Sequence, residues 1–329
     1  MAVIDEVMKK AIKYLFELKR KPVKGLLAVE WVVLGYMVLT LLIMLFTITK
    51  IHNPVSMIVG RVQALAITLA LWGVYRLVPC RLTHLARIGA QIGLLSWWYP
   101  DTYELNRIFP NLDHLFAGYE QALCGCQPAL TFAQEWSSPV FSELMHLGYS
   151  SYYPLIVIVT LFYFFCRYDQ FNRTAFIILT SFFIYYVIFI FLPVAGPQYY
   201  YLAAGLDNIA AGTFPDVGNY FADHQEPLPM PGWKDGFFYD LVTTAHDAGE
   251  RPTAAFPSSH VGVTTILMII AWSSRNRRLF FLMLPLFVLM CFATFYIQAH
   301  YVVDVLAGLV SGIIIYAVLY TIYNKVKLT

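Results

Sequence analysis

Long, nearly uninterrupted apolar runs are the feature that most limits what this chain can fold into. A helix needs about 20 apolar residues to cross a bilayer, and runs of about this length lie near 26–49, 56–78, 148–166, 174–194, 258–273, 279–297 and 300–322, with a weaker one near 83–99. In lipid, backbone polar groups must be satisfied within each segment, so these runs predict helices. The expected fold is an all-α, polytopic integral membrane bundle of about eight spans.

Composition agrees with a membrane protein and excludes other classes. The 329 residues are 59% hydrophobic and only 13% charged, whereas soluble domains are about 25% charged. The net charge of +2 gives no reason to expect a nucleic-acid partner. No repeat or linker divides the sequence. We therefore expect one membrane domain over residues 1–329, with a catalytic core from about residue 100 to 329 and no indication of an oligomeric state.

Basic residues at alternate ends of the runs predict an orientation. The clusters are the lysines from Lys9 to Lys24, Arg76/Arg81/Arg87, Arg167/Arg173, Arg275/Arg277/Arg278 and Lys325/Lys327. If the weak run is a span, all the clusters lie on one face, which the positive-inside rule makes cytoplasmic. Both termini are then cytoplasmic.

This orientation leaves three stretches outside the spans to interpret. Residues 100–147 form an outer segment expected to be amphipathic or re-entrant, and residues 195–257 form a second, expected to be an ordered lid or a flexible loop. Residues 3–19 precede the first span. They suit an amphipathic helix on an anionic leaflet or a solvated leader, and no cleavable signal peptide is expected there.

Two polar stretches open the last apolar runs at the outer face. They are residues 256–260 (FPSSH) and 300–304 (HYVVD). Imidazole and carboxylate groups are costly at the edge of a membrane helix, so such residues are functional candidates. His300 and Asp304 are four residues apart and would share one helix face. Asp304 could then accept one ring N–H of His300, fix its tautomer and raise the basicity of the other nitrogen.

The first polar stretch reads as a helix start. Ser258 or Ser259 can cap the first turn, and the amides of a helix N-terminus bind phosphate. Together the two stretches predict phosphoryl transfer, in which His300 attacks phosphorus, Asp304 orients it and His260 protonates the leaving oxygen.

These motifs resemble the type-2 phosphatidic acid phosphatase superfamily, over about the last 160 residues. The resemblance implies a six-helix core preceded by two extra spans, a phosphohistidine on His300 and an acid role for His260. Two departures stand out, since Gln198 and Thr294 occupy places where the family pattern has arginine. The stretch 293–304, the outer segment at 103–107 and the extra spans are closer to the inositol phosphorylceramide synthase branch. That branch moves a phosphorylated head group between lipids.

Phosphate would then be held by Ser258, Ser259, Gln198 and Arg251. Arg251 could equally be a solvated loop cation, and Gln198 part of an interfacial belt. No cofactor and no metal are expected. Other polar groups have plainer interpretations.

Those groups include one pair with metal-ligand spacing and one pair of outer thiols. Glu143 and His146 are three apart, as metal ligands can be, but a surface pair or core histidine is the simpler interpretation. His246, Asp247 and Glu250 suit a solvated loop. A disulfide between Cys124 and Cys126 is conceivable but would be strained.

The leading hypothesis is a membrane-embedded lipid phosphotransferase with a lipid substrate and an outer-face active site. A lipid phosphate phosphatase is the alternative, since only the acceptor differs. A transporter or channel is an alternative of another class, but the cytoplasmic halves of the spans carry few polar residues to line a path.

Overall fold

Helices follow the apolar runs, because in a chain with so few polar side chains the backbone must satisfy its own hydrogen bonds. The computed structural model describes residues 2–326, is 75% helical and contains no strand in that range. The helices are α1 (Ala2–Leu15), α2 (Ala28–Phe46), α3 (Pro54–Leu77), α4 (Arg81–Asn106), α5 (Asp113–Cys124), α6 (Pro128–Glu135), α7 (Pro139–Ser150), α8 (Tyr152–Cys166), α9 (Phe171–Phe191), α10 (Pro197–Ala204), α11 (Leu206–Ala210), α12 (Phe237–Gly249), α13 (Ser259–Ser273), α14 (Arg277–Tyr296) and α15 (Val302–Val326).

The predicted all-α, polytopic membrane bundle is confirmed. Within the described residues, five helices are long and apolar enough to cross a membrane: α2, α3, α9, α14 and α15. The pair α7 and α8, bent by 46°, makes a sixth if it counts as one span. The two other predicted spans correspond to α4 and to α13, which is apolar but has only 15 residues.

Helix α4 is weakly apolar because it carries charges that are paired inside the bundle. Arg61 on α3 binds Asp101 with two hydrogen bonds of 2.7 and 2.8 Å. Arg87 binds Glu30 on α2, with Nε 2.7 Å from Oε1. All four side chains are at most 5% exposed. Arg87, which the sequence assigns to a cytoplasmic cluster, is therefore an internal partner of α2 and does not face a membrane surface.

Helix α9 is the central helix of the bundle. In its most apolar stretch 78% of the residues are buried, whereas the corresponding share is about a third or less in the other four long apolar helices. It packs against α2 and α4 on one side and against α13 and α15 on the other. The N-terminal spans and the histidine-bearing helices are thus joined through α9.

Small residues bring α13 and α15 together. A Cβ on Gly308 would lie 2.6 Å from the carbonyl oxygen of Ser258, and a Cβ on Gly312 would lie 2.5 Å from that of Gly262. Close backbone approach through glycine is a common way for membrane helices to associate. Because His260 begins α13 and His300 precedes α15, this contact sets the distance between the two histidines.

The first outer segment is largely helical, and the second alternates three helices with irregular chain. Residues 100–147 contain the end of α4, all of α5 and α6, and the start of α7, and residues 195–257 contain α10, α11 and α12. Tyr199, Tyr200, Phe221 and Phe116 form a buried cluster with Tyr301, beside His300. The segment 195–257 is therefore ordered and packs over the histidine end of the bundle. Of the two interpretations offered by the sequence, this agrees with the ordered lid and not with the flexible loop.

At the N-terminus, the helix expected over residues 3–19 is present as α1, which ends at Leu15. Met8 and Ile12 on it are exposed. Lys327 of the last basic cluster lies outside the described residues.

Candidate active site

His300 lies in the turn between α14 and α15 and is held by two main-chain carbonyls. Its backbone N–H donates to the Thr294 oxygen at 3.1 Å, and its Nδ1 is 2.8 Å from the Ala255 oxygen. Gln298, two residues earlier, has φ +66°, the left-handed conformation that turns the chain sharply after α14. His300 is only 3% exposed. The turn thus presents a buried imidazole whose orientation is fixed by the main chain.

His260 is the second residue of α13, as the sequence predicts. Ser258 is the N-cap, and its side chain accepts from the Val261 N–H at 3.4 Å. The His260 ring lies against Tyr149 and Tyr152, with centroids 4.5 and 4.4 Å away. Two tyrosines from α7 and α8 therefore position the imidazole that faces His300.

The hydrogen bonds assign the tautomers of both rings. A carbonyl oxygen only accepts, so Nδ1 of His300 carries the proton and its Nε2 has a free lone pair. Nε2 is 3.4 Å from Nδ1 of His260. Since neutral Nε2 can only accept, His260 must carry its proton on Nδ1. The pair therefore joins a nitrogen nucleophile to a nitrogen donor.

Asp304 lies in the first turn of α15, and its contacts differ from the sequence expectation. Its Oδ2 accepts from the Tyr301 N–H at 2.8 Å and lies 3.6 Å from His300 Nδ1. The ring N–H goes to Ala255, so Asp304 acts at ion-pair distance and does not fix the tautomer. His300 precedes the helix, so the two residues do not share a helix face. Oδ1 is buried without a partner in the described chain.

Burial lowers the pKa of His300 to about 4, and the Ala255 hydrogen bond and the Glu250 carboxylate oppose this shift. The expected rise in basicity is therefore not found, because the imidazolium loses more hydration than its neighbours restore. His300 is neutral at neutral pH. The neutral ring is the form that can attack phosphorus.

Asp113 on α5 ties the loop before α10 to the His300 turn. It is fully buried, and its carboxylate accepts from the N–H groups of Ala195 and Gly196 at 2.6 and 2.8 Å. The Tyr301 hydroxyl donates to it at 2.9 Å. Burial raises the pKa of Asp113. The three hydrogen bonds just described and a fourth from Asn111 stabilise the carboxylate and oppose this rise. Gly196 has φ +94°, and a Cβ there would lie 2.5 Å from the Ala299 oxygen, beside His300.

Glu120 lies about two turns after Asp113 on α5 and caps the start of α15. Its Oε2 accepts from the Val303 N–H at 3.2 Å, at the positive end of that helix. Burial, reinforced by the nearby Asp304 charge and opposed by the main-chain hydrogen bonds, raises the pKa of Glu120 to about 7. From the sequence, Asp113 and Glu120 are known only to lie in the outer segment 100–147. Their seven-residue spacing, which puts them on one helix face, is the signal that could have found them.

The four predicted phosphate-binding residues lie on three different segments: the start of α13, helix α10 and the chain after α12. Ser258 and Ser259 lie at the start of α13, where the first-turn amides point away from the helix. Gln198 is 2% exposed, and its N–H donates to the Gln298 oxygen at 2.8 Å. Its side-chain oxygen is buried without a partner among the described residues. Arg251 lines a cavity of about 160 Å³ with Trp97, Asp101 and Glu104, next to α3 and α4.

Glu250 and His246 are placed beside the histidines, and the interpretation as solvated loop residues is wrong for these two. The Tyr99 hydroxyl donates to Glu250 at 2.8 Å. The His246 ring lies 5.7 Å from that of Tyr149, which covers His260. Asp247, between them in sequence, is exposed. Nothing in a Gly- and Asp-rich stretch indicates such contacts, because they depend on α12 folding back over α7.

The remaining sequence candidates have structural contacts. Glu143 accepts from the N–H groups of Phe238 and Tyr239 at 3.0 and 3.1 Å, at the start of α12, and His146 Nδ1 donates to the Ser142 oxygen at 2.7 Å. Cys124 and Cys126 are free and exposed.

Comparison with known protein families identifies the family of this chain. A sequence profile described as the PAP2 superfamily matches residues 121–318, more than half of the chain, including His260, His300 and Asp304. No curated protein and no solved structure matches the chain. Members of this superfamily are generally phosphatases or phosphotransferases. The chain therefore belongs to the PAP2 superfamily and is a membrane enzyme of the lipid phosphatase and phosphotransferase type.

Proposed function

We propose that this protein transfers a phosphorylated head group from one lipid to another through a phosphohistidine at Nε2 of His300. One observation carries the proposal: a buried neutral imidazole has its Nδ1–H fixed on Ala255 and its Nε2 lone pair 3.4 Å from the Nδ1 of His260. The nucleophile and the proton donor therefore face each other, and the proposed reaction uses these two imidazoles and no metal ion.

In the first step, Nε2 of His300 attacks the phosphorus of the donor lipid and forms an N–P bond. The bond between phosphorus and the lipid oxygen breaks, and His260, protonated on both ring nitrogens beside the bound phosphate anion, gives that oxygen its Nδ1 proton and becomes neutral. At rest the His260 Nδ1–H points at His300, so the phosphate must part the two rings and take over this hydrogen bond. The positive charge that develops on His300 lies 3.6 Å from Asp304, which stabilises it.

In the second step, the hydroxyl of an acceptor lipid attacks the phosphorus and gives its proton to His260, now its base. The N–P bond breaks and His300 is again neutral. Water in place of the hydroxyl would complete hydrolysis with the same residues.

The enclosure of the site favours a lipid acceptor over water. His300 is 3% exposed and Asp304 is fully buried. Tyr149 and Tyr152 lie against His260, which is partly buried, and Tyr199 of the outer segment is 2% exposed. Excluding water protects a reactive phosphoenzyme from hydrolysis. The transferase therefore remains the leading function, and the phosphatase is the alternative outcome.

Phosphate binding is proposed for the start of α13 and the residues around it. The first-turn amides and the hydroxyls of Ser258 and Ser259 supply donors, and the helix dipole favours the anion. Gln198 supplies its side-chain amide from the first turn of α10. Arg251 would contact the parts of the head group that reach its cavity.

The proposed orientation follows from the basic clusters. Both termini are cytoplasmic and the histidines face the outer side. The donor and acceptor lipids would then enter from the outer leaflet.

The test uses purified full-length protein with two lipid substrates assayed in parallel. One mixture contains phosphatidylinositol labelled with ³²P and ceramide, and the other contains phosphatidic acid. We expect a new labelled phosphodiester lipid in the first mixture and no such product from His300→Gln. Release of inorganic phosphate from phosphatidic acid, with no new diester from any hydroxyl lipid offered, would replace the transferase by the phosphatase. Solute transport that survives His300→Gln, with no lipid turnover by the wild type, would instead indicate a transporter.

A further inference from the structure

A second polar region lies at the end of the bundle opposite the histidines. There the turn between α8 and α9 meets the turn between α13 and α14 and the final part of α15. Five arginines converge on it: Arg167, Arg173, Arg275, Arg277 and Arg278. Helix α13 runs between this region and His260, and its 15 residues correspond to about 22 Å at 1.5 Å per residue. The region is therefore separate from the catalytic histidines.

The arginines line two adjoining clefts, which we call the basic clefts. The first has a volume of about 320 Å³ and contains Arg173 and Tyr316. The second has a volume of about 570 Å³ and contains Arg277 and the apolar side chain of Phe162. Arg167 and Arg275 line both clefts, so the two volumes meet at a shared pair of guanidinium groups.

These arginines are not neutralised by carboxylates. Within residues 2–326, none of the five lies within 4.0 Å of an Asp or Glu oxygen, whereas Arg61 and Arg87 each have a buried acidic partner. Arg167 donates to the Ser274 carbonyl at 3.3 Å, and Arg173 donates to the Gln170 side chain at 2.9 Å. Arg277 stacks on Trp272, with its guanidinium carbon 3.5 Å from the ring centroid. The clefts therefore carry positive charge that no carboxylate of the described residues compensates.

Arg275 has a left-handed backbone conformation in the turn between α13 and α14. Its φ is +60°, in the left-handed region that glycine adopts without cost. An arginine there costs about 1 kcal/mol or more, yet the turn projects this side chain into both clefts. Arg275 follows Ser274, the C-cap of α13, where a left-handed residue commonly ends a helix, and an arginine at this position lines both clefts.

We propose that the basic clefts bind the head group of an anionic phospholipid carrying at least two negative charges. Arginine forks pair with phosphate oxygens, two bonds at a time. Basic pockets between the ends of membrane helices are typical sites for such head groups. Phe162 and the exposed ring of Tyr320 line the adjoining walls, where the glycerol and upper acyl chains would lie. Because the site is far from His300, this lipid is a bound partner of the bundle and not its substrate.

If these arginines served only to orient the protein in the membrane, lipid binding would follow a different pattern. The positive-inside rule needs basic residues only near the surface, in any arrangement. It predicts no preference between head groups of equal charge density. Binding by converging arginines predicts that preference.

The test measures lipid binding by the full-length protein in phosphatidylcholine nanodiscs. The probe is cardiolipin, which carries two phosphodiesters and no phosphate monoester, and phosphatidylglycerol at twice the molar fraction matches its charge. We expect cardiolipin to raise the thermal midpoint and to be retained in native mass spectra, with phosphatidylglycerol much weaker. Equal effects of the two lipids would overturn the proposal. So would stabilisation by soluble pyrophosphate alone, which would assign the clefts to a free anion.

Variants separate the clefts from general charge. Arg275→Gly removes a charge and also relieves the left-handed strain, so the protein should remain folded. Combined with Arg167→Gln, it should weaken cardiolipin binding at least 10-fold. The control is Lys50→Gln with Lys234→Gln, which removes two exposed charges at the histidine end. We expect less than a twofold change there. Equal losses in both double variants would show that only net charge matters.

Discussion

At the scale of single residues, the main chain rather than Asp304 orients the imidazole of His300. The Ala255 carbonyl takes the Nδ1–H at 2.8 Å, and Asp304 stays 3.6 Å away. Orientation and charge stabilisation are thus divided between a carbonyl and a carboxylate. In many triads one carboxylate does both.

This division predicts a graded effect of substitution. Asp304→Asn keeps the tautomer but removes a charge worth about 4 kcal/mol at this distance and an effective dielectric constant of 20. We expect phosphoenzyme formation to slow by about 10²- to 10³-fold. Rapid-quench measurement of ³²P incorporation checks this, with His300→Gln as the variant that forms no phosphoenzyme. Complete loss of phosphoenzyme in Asp304→Asn would mean that Asp304 fixes the tautomer after all.

Glu120 makes stability depend on pH. The unfolded carboxyl ionises near 4.5, while the folded one keeps its proton up to about 7. Between these values the unfolded state binds fewer protons, so the folded state loses stability as pH rises. Glu120→Gln has no carboxyl to titrate and therefore does not show this loss. The free energy of unfolding of the variant minus that of wild type should rise from pH 4.5 and level off above pH 7, by up to about 3 kcal/mol in total.

Thermal midpoints in detergent at pH 4.5, 6 and 8 measure the effect of Glu120→Gln. Glu135→Gln, on an exposed carboxyl at the end of α6, is the matched control and should show no such trend. A constant difference between Glu120→Gln and wild type at all three pH values would contradict the shifted pKa.

The residues around the histidines differ in how far sequence can predict them. His260, His300 and Asp304 stand in two short motifs whose polar types are rare in apolar runs. Asp113 contacts residues more than 80 positions away, at Ala195, and Glu250 contacts Tyr99. Contacts between such distant segments leave no local pattern, because they arise only when the outer segments pack over the bundle.

At the scale of elements, the glycines between α13 and α15 connect packing to chemistry. Gly308→Ala would place a methyl group 2.6 Å from the Ser258 oxygen, so the two helices must separate. A misplacement of about 1 Å can cost about 10²-fold in rate. We expect activity to fall at least 10-fold and the thermal midpoint to drop.

Gly93→Ala on α4 is the control for Gly308→Ala. Apart from the adjacent residues and the backbone of its own helix, no atom lies within 4 Å of a Cβ at Gly93, and alanine favours a helix over glycine by about 1 kcal/mol. This variant should be active and at least as stable as wild type. Full activity in Gly308→Ala would show that the helix contact does not set the histidine distance.

Hydropathy predicts elements well when they are uniformly apolar. The bounds of α9 and α14 agree with the predicted runs to within a few residues. The weak run at 83–99 is in fact a 26-residue helix, α4. Its charges hide it, because a sequence window cannot know that Asp101 meets Arg61 on α3.

At the scale of the whole molecule, the native cysteines test the orientation. Cys124 is exposed at the last position of α5, Cys126 is exposed just after it, and Cys166 is exposed at the opposite end, where α8 ends. In sealed vesicles with the outer face outward, an impermeant maleimide should label Cys124 and Cys126 at once and Cys166 only after permeabilisation. Single-cysteine variants identify each site. Labelling of Cys166 before permeabilisation, with the other two protected, would invert the orientation.

The paired charges of α4 also have a consequence for how the chain enters the membrane. An unpaired Arg or Asp at mid-helix costs about 2.5 to 3.5 kcal/mol on insertion. The partners of Arg87 and Asp101 are Glu30 and Arg61, both made earlier in synthesis. Helices α2 and α3 can therefore already be in the bilayer when α4 leaves the ribosome, each offering the opposite charge. Synthesis order then works as a folding aid, and a chain permuted to begin at α4 should insert that helix poorly.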